Sequence, residues 1–98
     1  MIRSFANQAT HDVFDSTGSK AARRACPGTL WTVARRKLDQ LNQAHELRDL
    51  RAPPANRLEK LKGDRRGQHS IRINDQYRVC FCWTDRGPEN VQIVDYHR

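Results

Sequence analysis

Residues 70–83 read Ser70-Ile71-Arg72-Ile73-Asn74-Asp75-Gln76-Tyr77-Arg78-Val79-Cys80-Phe81-Cys82-Trp83, and their apolar side chains recur at every second position. Ile71 and Ile73 alternate with Ser70, Arg72 and Asn74, while Tyr77, Val79, Phe81 and Trp83 alternate with Arg78, Cys80 and Cys82. Period two sends successive side chains to opposite faces of a pleat, so the stretch reads as two half-buried strands about a polar reversal at 74–76. A second reversal at 85–89 leads into Val91 and Ile93, which repeat the pattern, and residues 58–61, ahead of a Gly-flanked turn at 63–67, supply a first strand. Strands joined in order by short polar turns make an antiparallel meander.

Upstream the period changes. Leu30, Ala34, Leu38 and Leu41 recur at helical spacing, with Arg35, Arg36, Asp39 and Gln40 off the stripe, which predicts an amphipathic helix over 29–44 with Thr29 as its N-cap. Residues 45–50 add a turn that Pro53-Pro54 must end. Residues 9–15 suit one or two helical turns and 1–5 a short strand. Residues 16–28, rich in small and turn-forming side chains, read as a loop or a frayed helix. Helices first and a meander last give an α+β class: two or three N-terminal helices packed on one face of a mostly antiparallel four- or five-stranded sheet, in a single domain over 1–98. The other sheet face is expected to lie open for a ligand.

Eighteen Lys+Arg against eleven Asp+Glu give a net charge of +7, spread through the chain. Such a surface favours phosphate-bearing partners, because neutralising phosphates releases counterions and steers association. No apolar run approaches the roughly 20 residues a bilayer needs, so no membrane partner is expected. The opening residues lack a signal peptide's apolar segment, and three cysteines cannot close a full disulfide framework, so the expected location is cytoplasmic.

Three features point to chemistry. Alternation with Val79 and Phe81 aims Arg78 at the open face, where its planar fork of donors can hold two phosphate oxygens. Lys62, Arg65 and Arg66 crowd a turn between Gly63 and Gly67, where a backbone can approach a ligand closely. Asp95-Tyr96-His97 follows the last strand and supplies a carboxylate, a phenol and an imidazole. Cations near a sheet face and proton-transfer groups beside them are what metal-free RNA cleavage requires, since the ribose 2'-hydroxyl is itself the nucleophile. No metal or cofactor is expected. Cys80 and Cys82 read as buried or semi-buried thiols, and Cys26 could oxidise if exposed. His11, His45 and His69, without a carboxylate or cysteine at ligand spacing, read as surface or satisfied residues. Trp31 and Trp83 read as core or partner-contact aromatics.

The run Glu46-Leu47-Arg48-Asp49-Leu50, the proline break, Leu61-Lys62-Gly63-Asp64-Arg65, Gly67 through Asn74, Tyr77-Arg78-Val79-Cys80-Phe81 and Asp95-Tyr96-His97, with Ile2-Arg3-Ser4-Phe5 at the start, resembles the HigB "killer" branch of the RelE toxin superfamily. The resemblance implies a RelE-like fold and a toxin of a type II toxin-antitoxin system, a ribosome-dependent endoribonuclease that cuts mRNA in the decoding site and so inhibits translation. It implies a cognate HigA-type helix-turn-helix antitoxin, with operator DNA reached only through the antitoxin complex. Carried over by residue, Lys62 and Arg78 balance phosphate charge, and Asp95, Tyr96 and His97 serve proton transfer and substrate orientation, with base and acid unassigned. Arg65, Arg66 and Arg72 are further RNA-binding candidates. Some family members place a histidine near the position of Glu59, and a carboxylate there repels phosphate and weakens cleavage. The alternative is a catalytically weak or silent RNA- or ribosome-binding regulator on the same fold. A DNA-binding repressor subunit is disfavoured because no helix-turn-helix pattern occurs.

Overall fold

Asn74 makes the central reversal. Its Oδ1 accepts hydrogen bonds from the backbone N–H groups of Gln76 (2.9 Å) and Tyr77 (2.7 Å), and the Tyr77 carbonyl accepts from Ile73 (3.0 Å) and Asn74 (3.2 Å), so the chain folds back within four residues. In the computed structural model, which describes residues 1–96, this turn joins β2 (His69–Arg72) to β3 (Tyr77–Thr84). With β1 (Glu59–Lys60) and β4 (Gly87–Asp95) they form a four-stranded antiparallel sheet in the order β1-β2-β3-β4. The meander is as expected, but β4 starts sooner. Thr84 Oγ1 donates to the Gly87 carbonyl (2.8 Å) and accepts from Arg86 N–H (3.1 Å), so only Asp85 and Arg86 are needed to turn.

Register decides which side chains share a face. Ile71 pairs with Val79 and Val79 with Ile93, and these residues join Phe81 and Val91 in the core. The opposite face carries two rows, Glu59, Ser70, Cys80 and Gln92 in one and Arg72, Arg78 and Val94 in the next.

The helices cover the first face. α1 (Gln8–Phe14) is capped by Asn7, whose side chain accepts from Thr10 N–H, and Thr10 Oγ1 accepts from the Ile93 N–H of β4 (3.0 Å). α3 (Trp31–Gln43) buries Ala34, Leu38 and Leu41, while Leu30 is only partly covered. Thr29 does not cap it. The 3-10 turn Gly28–Leu30 leads straight into the helix without a side-chain cap, and Trp31 Nε1 donates to the Cys26 carbonyl (3.0 Å). Within the stretch expected to be a loop or a frayed helix, Lys20–Ala25 forms a short helix, α2, because Ser19 caps it and also donates to Asp12 (2.6 Å) while Ala22 packs fully inside. Cys26 is buried with it, and burial pushes its thiol up to about 11, which removes the expected route to oxidation.

The expected strand at 1–5 shortens to one parallel bridge between Phe5 and Val91, since Asn7 must already cap α1. Hydrogen bonds from Arg3 N–H to the Pro88 carbonyl (2.8 Å) and from Val91 N–H to the Ser4 carbonyl (3.1 Å) still lay this segment along β4. Gly87 is required there: its φ is +120°, and a Cβ would meet the Met1 carbonyl oxygen at 2.6 Å. Among the described residues no helix is long and apolar enough to cross a membrane.

Candidate active site

Arg78 does not stand on an open face. It is 9% exposed, because the chain after the prolines and Tyr96 cover the second side of the sheet. Its Nε donates to Ser70 Oγ (2.7 Å), and its Nη2 donates to the Arg57 carbonyl (2.6 Å) and, at 3.5 Å, to the Ser70 carbonyl. Nη1 has no acceptor among the described residues. The guanidinium is therefore fixed along one edge and unspent along the other, a preorganised donor for an anion.

Tyr96 continues the period-two march from Val94 and reaches the same face, where its hydroxyl lies 3.6 Å from Cys80 Sγ. The turn between β2 and β3 holds it there: Tyr96 N–H donates to the Gln76 carbonyl (2.6 Å). Burial, then the Cys80 neighbour, push the phenol up to about 12 despite the opposing charges of Arg65 and Arg78. At neutral pH it is a proton donor. Cys80 is fully buried beneath it and its thiol is likewise raised by burial, while Cys82 is half-buried.

Arg78 and Tyr96 line a recess of about 590 Å³ with Arg57, Glu59, Arg72, Asn74, Asp75 and Gln76. Arg72 and Arg78 sit directly opposite each other across β2 and β3. Like charges in that position cost roughly 0.2–1 kcal/mol unless compensated, and each has a carboxylate at the rim: Asp75 pairs with Arg72, and Glu59 Oε2 lies 3.9 Å from Arg78 Nη2. Two arginines opposite each other in register, one paired with Asp75 and the other only distantly approached by Glu59, make a cationic recess suited to an anion.

Of the residues singled out from sequence, Arg72, Arg78 and Tyr96 share this recess. Arg65 joins them from the side, donating to Gln92 (3.5 Å) and Gln68 (3.2 Å), and its charge is felt by both Tyr96 and Cys80. Asp95 is not brought into the recess: it pairs in register with Tyr77, one step off the row of Arg78 and Val94, and accepts from Gln76 Nε2 (3.2 Å). Lys62 and Arg66 are exposed and line a different recess with Lys60, Leu61 and Gly63. His97 lies outside the described residues.

Sequence reasoning missed Arg57, Ser70 and Asn56. Arg57 contributes a carbonyl from a left-handed backbone (φ 45°, ψ 56°) that a non-glycine residue does not advertise. Of the histidines, His11 is a partly exposed, partnered residue as read, though a carboxylate stands one turn away, and His69 corrects the reading. His11 Nε2 meets Asp15 Oδ2 at 3.1 Å, one helical turn on, and His69 stacks on Phe81 with its Nδ1 buried and unpartnered, so it is not a satisfied residue. Among the described residues no three His, Cys, Asp or Glu side chains gather where they could hold a metal ion.

Comparison with known proteins gives the family. Residues 3–97 match the family described as RelE-like toxins of the type II toxin-antitoxin system HigB. The chain belongs to the HigB-like toxin family. It is 45% identical over 62 residues to Toxin HigB-1 of Vibrio cholerae serotype O1, a match that covers 63% of this chain and 65% of that protein. It is 37% identical over 67 residues to an uncharacterized protein of Haemophilus influenzae, covering 68% and 66% respectively. In both cases the chain spans just under two thirds of the curated relative's own length. In this HigB-like toxin the recess on the sheet's second face therefore stands on the fold that the family match implies.

Proposed function

We propose that this toxin is a ribosome-dependent endoribonuclease that cleaves mRNA and so arrests translation and growth. The supporting observation is the recess in which Arg72 and Arg78 face each other beside a protonated Tyr96. With a phosphodiester held by the Arg78 Nη1 edge and by Arg72, the neighbouring 2'-oxygen attacks phosphorus, the P–O5' bond breaks, and the products are a 2',3'-cyclic phosphate and a 5'-hydroxyl. The 2'-proton passes to a base and the leaving oxygen gains one from an acid, steps to which Asp95, Tyr96 and His97 contribute. The guanidiniums stabilise the charge that builds on phosphorus oxygens, with no metal required. Lys62, Arg65 and Arg66 extend the cationic track for the RNA backbone. Residues 1–98 act as one cytoplasmic domain, neutralised by a HigA-type helix-turn-helix antitoxin that alone reads operator DNA.

In a translating extract, the protein should cut mRNA within codons, leave 2',3'-cyclic phosphate ends and keep its activity in EDTA. Intact messages, or cutting that EDTA abolishes, would refute the mechanism. A specific contact favours the second reading, a weak or silent ribosome binder: Glu59 approaches the guanidinium that must take the phosphate. That reading predicts ribosome association and stalled translation with unchanged mRNA ends.

A further inference from the structure

Arg78 depends on a carbonyl that its own sheet does not supply. The acceptor belongs to Arg57, at the end of the 3-10 turn Pro54–Asn56, and the left-handed conformation of Arg57 sets the direction of that carbonyl. Asn56, fully buried, closes the turn from within. Its Nδ2 donates to the Leu50 carbonyl (3.1 Å), the Ala52 carbonyl (3.3 Å) and Gln40 Oε1 (3.0 Å), while its Oδ1 accepts from Lys37 Nζ (2.6 Å). Lys37 is itself buried on α3, so one side chain ties a helix, the segment before the prolines and the turn after them.

We infer that Asn56 is a positioning residue: by locking the turn at 53–57 it holds the Arg57 carbonyl against Arg78 Nη2, which fixes the guanidinium with Nη1 left for the ligand. Asn56 lies behind the recess and does not line it. A buried side chain with both ends engaged suits this task, since the amide alone among small side chains offers a carbonyl oxygen and two donors in one plane. The orientation of Arg78 is a physical property independent of any reaction. Its bearing on phosphate rests on the ribonuclease reading.

The test follows the side-chain Nε–H of Arg78 by nuclear magnetic resonance, assigned by its loss in Arg78→Lys. In the parent protein this proton, held by Ser70, exchanges slowly with solvent. Asn56→Ala should speed that exchange about tenfold or more, while the backbone amides of Val79 and Phe81 stay protected. Asn56→Asp, which keeps an acceptor for Lys37 but sets a carboxylate oxygen against the Leu50 and Ala52 carbonyls, should do the same. Arg57→Gly, which keeps the carbonyl and tolerates the left-handed backbone, should leave the Arg78 proton protected. If Asn56→Ala does not fold, Lys37→Met removes one partner of Asn56 and should give an acceleration of about fivefold. An Arg78 proton as protected in these folded variants as in the parent overturns the inference. Cleavage assays separate the two claims: a loosened Arg78 in a protein whose parent never cuts RNA leaves the positioning role standing and removes the ribonuclease reading, whereas a tight Arg78 with lowered cleavage does the reverse.

Discussion

On the helix side of the sheet, Ile71, Val79, Phe81, Val91 and Ile93 are closed off by Ala34, Leu38 and Leu41; on the other side, Ser70, Arg78 and Cys80 are closed off almost as fully by a turn, a phenol and hydrogen bonds. The first face is held by burial of apolar area, which is indifferent to direction. The second is held by directed contacts, each of which leaves a costly unpaired group when its partner goes. One ribbon thus carries a tolerant side and an exacting one, and substitutions on the two should fail differently.

The largest effect belongs to the apolar face. Phe81→Ala should destabilise the fold by about 3–5 kcal/mol in denaturant melts, with function lost only because the protein unfolds. A midpoint close to the parent's would mean that the helices do not depend on this face.

Arg78→Lys should separate the faces most cleanly. A lysine lacks the planar fork that engages Ser70 and Arg57 along one edge and leaves the other for phosphate, so cleavage should fall by about 10²–10³-fold while the melt remains cooperative. Full activity in the lysine variant would show that a point charge suffices and that the fork is incidental.

Tyr96→Phe keeps a ring over Cys80 and removes the proton donor, so cleavage should drop by about a hundredfold with little change in the melt at neutral pH. The phenol is raised in the folded state from 10.0 to about 12, so its support for folding is complete below pH 10 and is lost as pH rises from there toward 12. Alkaline melts of the parent should show that decline, and those of Tyr96→Phe a smaller one, since the raised thiols of Cys26 and Cys80 and the raised phenol of Tyr77 remain. An equal decline in both would place the titration elsewhere.

Glu59→Gln gives the smallest change. The carboxylate is 56% exposed and 3.9 Å from Arg78, so neutralising it should tighten RNA binding by about fivefold at most, measured at low salt. Weaker binding instead would make Glu59 a contributor to the site, not a competitor within it.

The apolar face was legible because its signal is local. Alternation in 70–83 and the stripe through Ala34, Leu38 and Leu41 announce both elements and the sides they bury. Tyr96 was legible as a phenol following the last strand, but not which face it takes. The exacting face was legible only in part, because its contacts join positions whose spacing carries no period. Lys37 lies on the helix face of Ala34 and Leu41, yet its charge argues for solvent until Asn56, nineteen residues later, meets it. The buried state of Arg78 likewise depends on the backbone of Arg57, whose carbonyl would be present whatever the side chain. Residue identity states what a side chain can do, not which main-chain group will meet it.

The hydrogen bonds between residues 3–6 and 88–91 join the earliest part of the chain to nearly the latest. During synthesis, the N-terminal segment has no edge to lie on until β4 has been made, and Tyr96 arrives later still. A nascent chain stopped before residue 87 has neither the closing strand nor the phenol over Cys80. The recess is thus completed only once β4 and the phenol that follows it have left the ribosome.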